Sequence, residues 1–151
     1  MSKLLGALGL GLVGLVLAGN QARSWGDDKA ATAAIVGTYK IVAGEEDGKK
    51  LPANELKGDV VTFGLDQVTG IDKDKKEIFV ATYTLDTSKK PWVIHMKSVM
   101  APRVGERAEG LLEKDGDNLK LIYALPGGKM PTSFSSQTKQ HLFVMKKIAA
   151  R

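Results

Sequence analysis

The chain contains no cysteine. That excludes a disulfide framework, a Cys-ligated zinc site, a thiol nucleophile and the cysteine-linked lipid anchor of bacterial lipoproteins. Histidine is nearly as scarce. His95 and His141 stand alone, with no HxH, HxxxH or HExxH spacing to bring metal ligands together, so both read as strand-surface residues. Ser133, Ser135 and Ser136 lie in no Gly-x-Ser-x-Gly elbow and read as loop residues that satisfy backbone groups. The acids Glu45, Glu46 and Asp47 have the hard oxygens calcium favours but not the spacing of a calcium loop, and read as a solvated turn tip. Long runs of one charge are missing too. The 22 Lys and Arg exceed the 17 Asp and Glu by a net +5. Basic residues come only as the pairs Lys49-Lys50, Lys89-Lys90 and Lys146-Lys147, or interleaved with acids as in Asp72-Lys73-Asp74-Lys75-Lys76-Glu77. Mixed signs cancel the field that a phosphate backbone needs, so no nucleic-acid partner is expected. Without a catalytic constellation or a cofactor motif in context, the chain is expected to be non-enzymatic and to carry no cofactor.

What is present begins with an address. After Lys3, the run Leu4 to Ala18 is apolar for 15 residues. That is the length of a signal-peptide core and short of the roughly 20 residues of a membrane span. Small-residue cleavage sites follow at Ala18 and Ala22, so residues 1–22 are expected to be a signal peptide. The domain would then act outside the cytoplasm, in the periplasm or secreted, and touch a membrane only if this segment stays uncleaved. Gly9-Leu10-Gly11-Leu12-Val13-Gly14 spells the dinucleotide pattern GxGxxG, yet it follows no predicted strand and belongs to no βαβ unit. Residues 23–34 read as a linker or short helical lead-in, with Asp27 or Asp28 available to cap an Ala-rich turn.

From Ile35 onward the pattern changes to short runs of Val, Ile, Thr, Phe and Tyr bounded by Gly, Asp, Asn and Lys. Eight strands are predicted: Ile35–Ala43, Asp59–Gly64, Gln67–Asp72, Glu77–Leu85, Trp92–Lys97, Gly105–Glu113, Asn118–Leu125 and Gln140–Lys147. Asp47-Gly48 and Asp115-Gly116-Asp117 supply turn residues that tolerate positive φ, and Leu51 to Leu56 reads as one helical turn started by Pro52. Alternation puts Ile35, Tyr39, Ile41 and Ala43 on one face and Thr38 and Lys40 on the other; Leu119, Leu121 and Tyr123 likewise oppose Lys120. The fourth and eighth strands are apolar on both faces, which leaves their inward side open. Short connections imply hairpins, so residues 35–151 are expected to form an all-β domain. Its form would be a single antiparallel up-and-down barrel of about eight strands, with an open curved sheet as the alternative.

Gly37-Thr38-Tyr39 resembles the Gly-x-Trp opening of lipocalins, with Tyr in place of Trp. More closely, the chain resembles a family of small exported lipocalin-like domains of unknown function, numerous in planctomycete bacteria. The matching segments are Gly37 to Pro52, Val61 to Phe63, Ala81 to Pro91, Asp115 to Ala124 and Pro131 to Ser136. Ile122 stands where a Cys is common, and Met130 where an Arg precedes the proline. The resemblance implies that a basic residue late in the barrel packs over the first-strand aromatic, a cation this chain lacks at position 130. It implies a fold and an export route, and no activity.

An eight-stranded barrel is just wide enough to be filled by side chains or to hold one small ligand. In the binding reading Tyr39, Ile41, Phe63 and Tyr123 line a cup, Met130 to Phe134 fold over its mouth, and the ligand is a small, partly apolar molecule. In the alternative the barrel is fully packed and the protein is an interaction or envelope-associated domain. An interior cavity of about 300 Å³ or more separates the two.

Overall fold

A computed structural model describes residues 27–148; the expected signal peptide lies outside the described residues. Helix α1 covers residues 27–35. It is followed by β1 (Gly37–Glu46), the two-residue β2 (Lys49–Lys50), the single helical turn α2 (Ala53–Leu56), β3 (Val60–Phe63), β4 (Gln67–Ile71), β5 (Glu77–Asp86), β6 (Trp92–Ser98), β7 (Arg107–Asp115), β8 (Asn118–Ala124) and β9 (Gln140–Lys147). All eight predicted strands are present. Their short alternating runs lay apolar residues on one face every second position, and the turns between them adopt the backbone their residues favour. Asp47, Gly48 and Gly116 all have positive φ.

Each strand from β3 to β8 pairs antiparallel with its successor, β1 pairs with β3, and β9 returns to β1 from Tyr39↔Lys147 to Glu46↔His141. The sheet therefore closes into an eight-stranded barrel, with β2 a short ribbon folded back on the end of β1. Closure leaves no exposed edge among the long strands, which excludes the open curved sheet.

The first strand differs from its expected course in two ways. Ile35 ends the helix rather than starting the strand, and a register shift between Ile41 and Ala43 marks a bulge at Val42. Tyr39 and Ile41 point inward as expected, but past the bulge Gly44 is buried and Ala43 is exposed.

One end of the barrel is plugged. Ala31 and Ile35 of α1 join the interior core, and the Tyr39 hydroxyl donates to the Ile35 carbonyl at 2.8 Å. Tyr39, Phe63 and Tyr83 then stack edge to face, with centroids 5.9 and 5.6 Å apart. The Asp28 carboxylate reaches the β5–β6 turn, accepting from the Thr87 amide at 2.9 Å and its hydroxyl at 2.6 Å, and so pins α1 across this end. The opposite end is framed by the α2 connection, the β4–β5 turn, the β6–β7 loop and the long β8–β9 loop.

A second apolar layer lies outside the wall. Leu111, Ile122 and Leu142 are cross-strand neighbours on β7, β8 and β9, and Val93, Val144 and Phe134 pack against them. This resolves the two-faced pattern of the last strand: His141, Phe143 and Met145 face inward, and Leu142 and Val144 face this outer layer.

Candidate functional site

The barrel interior is filled at its plugged end and hollow at the other. The hollow is about 120 Å³ and lies between β5, β6, β7 and β8. Its walls are apolar (Phe79, Ala81, Met96, Ala108 and Leu121), and Arg103, Glu106 and Arg107 stand at its rim on the β6–β7 loop and the start of β7. Small residues make the space. Ala81 pairs with Ser98, and Met96 with Ala108, so two of the three facing positions on β5 and β7 carry little side chain.

Tyr123 joins Ser98 as an uncharged polar side chain lining the hollow. Register places it opposite His141 on β9, and His141 opposite Glu46 on β1. The Tyr123 hydroxyl lies 3.4 Å from His141 Nδ1, and His141 Nε2 lies 3.9 Å from Glu46 Oε1. Tyr123, His141 and Phe143 pack as an aromatic cluster with centroids 5.7 to 6.4 Å apart. Burial, reinforced by the Glu46 charge and opposed by Arg103, pushes the Tyr123 hydroxyl up to about 12. At neutral pH it is a proton-bearing donor, the opposite of an activated nucleophile. The arrangement can hydrogen-bond and orient a bound molecule, with Arg103 and Arg107, beside Glu106, at the rim to meet an anionic group.

The six residues expected to form the cup and lid fall into three places. Tyr123 lines the hollow. Tyr39, Ile41 and Phe63 face the interior, but Tyr39 and Phe63 are sealed in the core under α1, where they bar the space rather than line it. Phe134 packs on the outside of the barrel, with the Lys120 ammonium 6.0 Å from its ring centroid. Met130 is 37% exposed on the same outer loop. Neither folds over the mouth, because the outer layer offers Phe134 an apolar seat and the loop is tied to β1: Glu45 accepts from the Ser136 amide and hydroxyl at 3.0 and 3.1 Å.

The cation sought at position 130 has a counterpart elsewhere. Lys147 is the cross-strand partner of Tyr39, and its Cε lies 2.7 Å from where a Cβ on Gly37 would be. A basic residue late in the barrel thus lies over Gly37 of the first-strand Gly-Thr-Tyr, where a φ of +149° favours glycine.

His141, Glu46, Arg103 and Arg107 were not legible as site residues. Their placing depends on three strands coming into register, and only Tyr123 carries the local sign of an inward aromatic. Among the described residues no three His, Asp or Glu side chains converge as metal ligands, and no helix is long and apolar enough to cross a membrane. No family model, curated protein or solved structure matches the chain.

Proposed function

We propose that this protein is a binding module that takes the apolar end of a small amphiphile into the hollow at the open end of its barrel. The hollow of about 120 Å³, apolar inside and flanked by Tyr123, Arg103 and Arg107, carries this reading. It falls well short of the roughly 300 Å³ expected of a barrel that captures a whole molecule, so that form of the binding reading is not supported and the proposal is confined to the ligand's apolar end. It is close to the ~150 Å³ apolar cavity that accepts a benzene ring. A ring or short alkyl chain therefore fits, with a carboxylate or similar head at the rim facing the two arginines. The chemistry is capture without turnover, and the site of action is extracytoplasmic once residues 1–22 are removed. The resemblance of Gly37 to Pro52 and the later segments to small exported lipocalin-like domains is what suggests that route.

The test is titration with straight-chain carboxylates from butyrate to octanoate, followed calorimetrically, on the natural protein and on Ala108→Phe. Binding that peaks at intermediate chain length and disappears in Ala108→Phe is expected. Binding indifferent to the filled hollow would sink the proposal, as would none for any chain length.

A second reading has its own observation. Ile78, Val99 and Val104 are exposed aliphatic side chains around the same end, Val104 at 64%. They suit an interaction or envelope-associated domain that docks a protein by this rim. Polar replacement of all three would abolish partner capture on that reading and leave carboxylate binding untouched.

A further inference from the structure

The β8–β9 loop, residues 125–139, encloses a crater of about 580 Å³ on the outside of the barrel, separate from the hollow inside it. We infer that this crater is a binding site for a phosphorylated sugar.

Charge comes first. Among the described residues Lys129 and Lys139 are the only charged ones lining the crater, and the other walls carry the hydroxyls of Thr132, Ser133, Ser135 and Thr138. Among the described residues no carboxylate lies within ion-pair distance of either lysine; the ion pairs found there are His95–Glu109 and His141–Glu46. Two acids on β1 and the following turn border the loop, and both are engaged by hydrogen bonds from it. Glu45 accepts from Ser136, and the Asp47 carboxylate accepts from the Lys139 amide at 2.6 Å.

Order comes second. The loop has no regular secondary structure, but buried side chains hold its shape. Gln140, only 3% exposed, accepts from the Gln137 amide at 2.8 Å and donates to the Lys129 carbonyl at 2.9 Å. The Ser136 hydroxyl, 4% exposed, accepts from the Gly48 amide at 2.9 Å. The Lys139 ammonium lies over Gly127, 3.1 Å from where a Cβ would be, on the crater's rim. A site organised before its ligand arrives loses less on binding.

Ammonium groups with no carboxylate paired to them, beside hydroxyls, recognise an oxyanion through charge-assisted hydrogen bonds. The volume lies within the roughly 300–1,000 Å³ of small-molecule sites, much more than a bare oxyanion fills. The hydroxyl walls suit a body that itself bears hydroxyls. A phosphate monoester on a sugar satisfies both demands.

The experiment is amide-resolved NMR titration of the protein with glucose 6-phosphate, glucose and inorganic phosphate, repeated on Lys129→Gln/Lys139→Gln. The ester should shift amides within residues 127–140, glucose should not, and the double variant should bind about tenfold or more weakly with an unchanged melting temperature. The inference is overturned if the ester shifts nothing in that loop, if the variant binds equally, or if inorganic phosphate alone binds as tightly as the ester. Carboxylate binding in the barrel is read separately and is unaffected by any of these outcomes.

Discussion

Tyr123 and His141 face each other across the β8–β9 ladder with the hydroxyl 3.4 Å from the imidazole, at the inner wall of the barrel's open end. The pair joins the apolar hollow to Glu46 on a third strand, so one hydroxyl faces both the cavity and a charged array. Tyr123→Phe keeps the ring and removes the donor. Stability should fall by only about 0.5–1.5 kcal/mol, the net worth of one hydrogen bond. Carboxylate affinity should fall severalfold, measured by calorimetry beside a thermal melt. Unchanged affinity would remove Tyr123 from the site.

The tyrosines also set an alkaline limit. Burial, aided by Asp66 and Tyr39, pushes Tyr83 up to about 12, and Tyr123 is raised to the same value. Each folded-state pKa lies above a tyrosine's ordinary value of 10.0, so the stability these groups contribute is complete below pH 10. It is lost as pH rises from 10 through about 12. Urea unfolding followed across that window should show a steep decline, and the Tyr83→Phe variant a shallower one. A flat profile, or tyrosines that ionise normally in the native state, would contradict this.

Gly110 on β7 is the tightest approach in the wall. A Cβ there would sit 2.0 Å from the Ile122 carbonyl oxygen and 2.8 Å from Tyr123 Cα, both backbone atoms that cannot step aside. Gly110→Ala should therefore cost upward of about 3 kcal/mol, in the range reserved for forced backbone movement. Gly105→Ala is the comparison. Its φ is +89° but nothing lies within 4 Å, so it should cost only the ~1–2 kcal/mol of a left-handed backbone. Chemical denaturation of the two variants gives the ranking directly; equal costs would contradict it.

Phe134 tests whether the β8–β9 loop is a lid or a brace. Packed on the outer layer with Ile122 and Leu142, it should cost about 1–3 kcal/mol when changed to Ala, less than a fully buried Phe because it is half-buried. Carboxylate binding inside the barrel should not change. A variant of normal stability with altered binding would restore the lid.

Much of the fold could be read from local pattern. Turn chemistry at Asp47-Gly48 and Gly116, and alternation at Leu119-Leu121-Tyr123, depend on residues a few positions apart, and these expectations match the structure. The exceptions are informative. The bulge at Val42 reverses the faces beyond Ile41, and nothing in the local residues marks it, because it arises from how β1 meets β9. Phe134 reads in sequence as core or, in the binding reading, as lid, and the outer layer that claims it is not visible locally because it is assembled from three strands.

The sequence by itself determined where the strands and turns lie and that they meander, because β-propensity and turn geometry act over a few residues. Only the tertiary structure decided the rest. It decided that β9 returns to β1 and closes the wall, that α1 plugs one end, and that Tyr39 and Phe63 fill the space they were expected to line. It also brought Glu46, His141 and Tyr123 together and turned the lysine-bearing loop outward. Those outcomes depend on pairings between residues up to a hundred or so positions apart, where register and packing, not local preference, set which atoms meet.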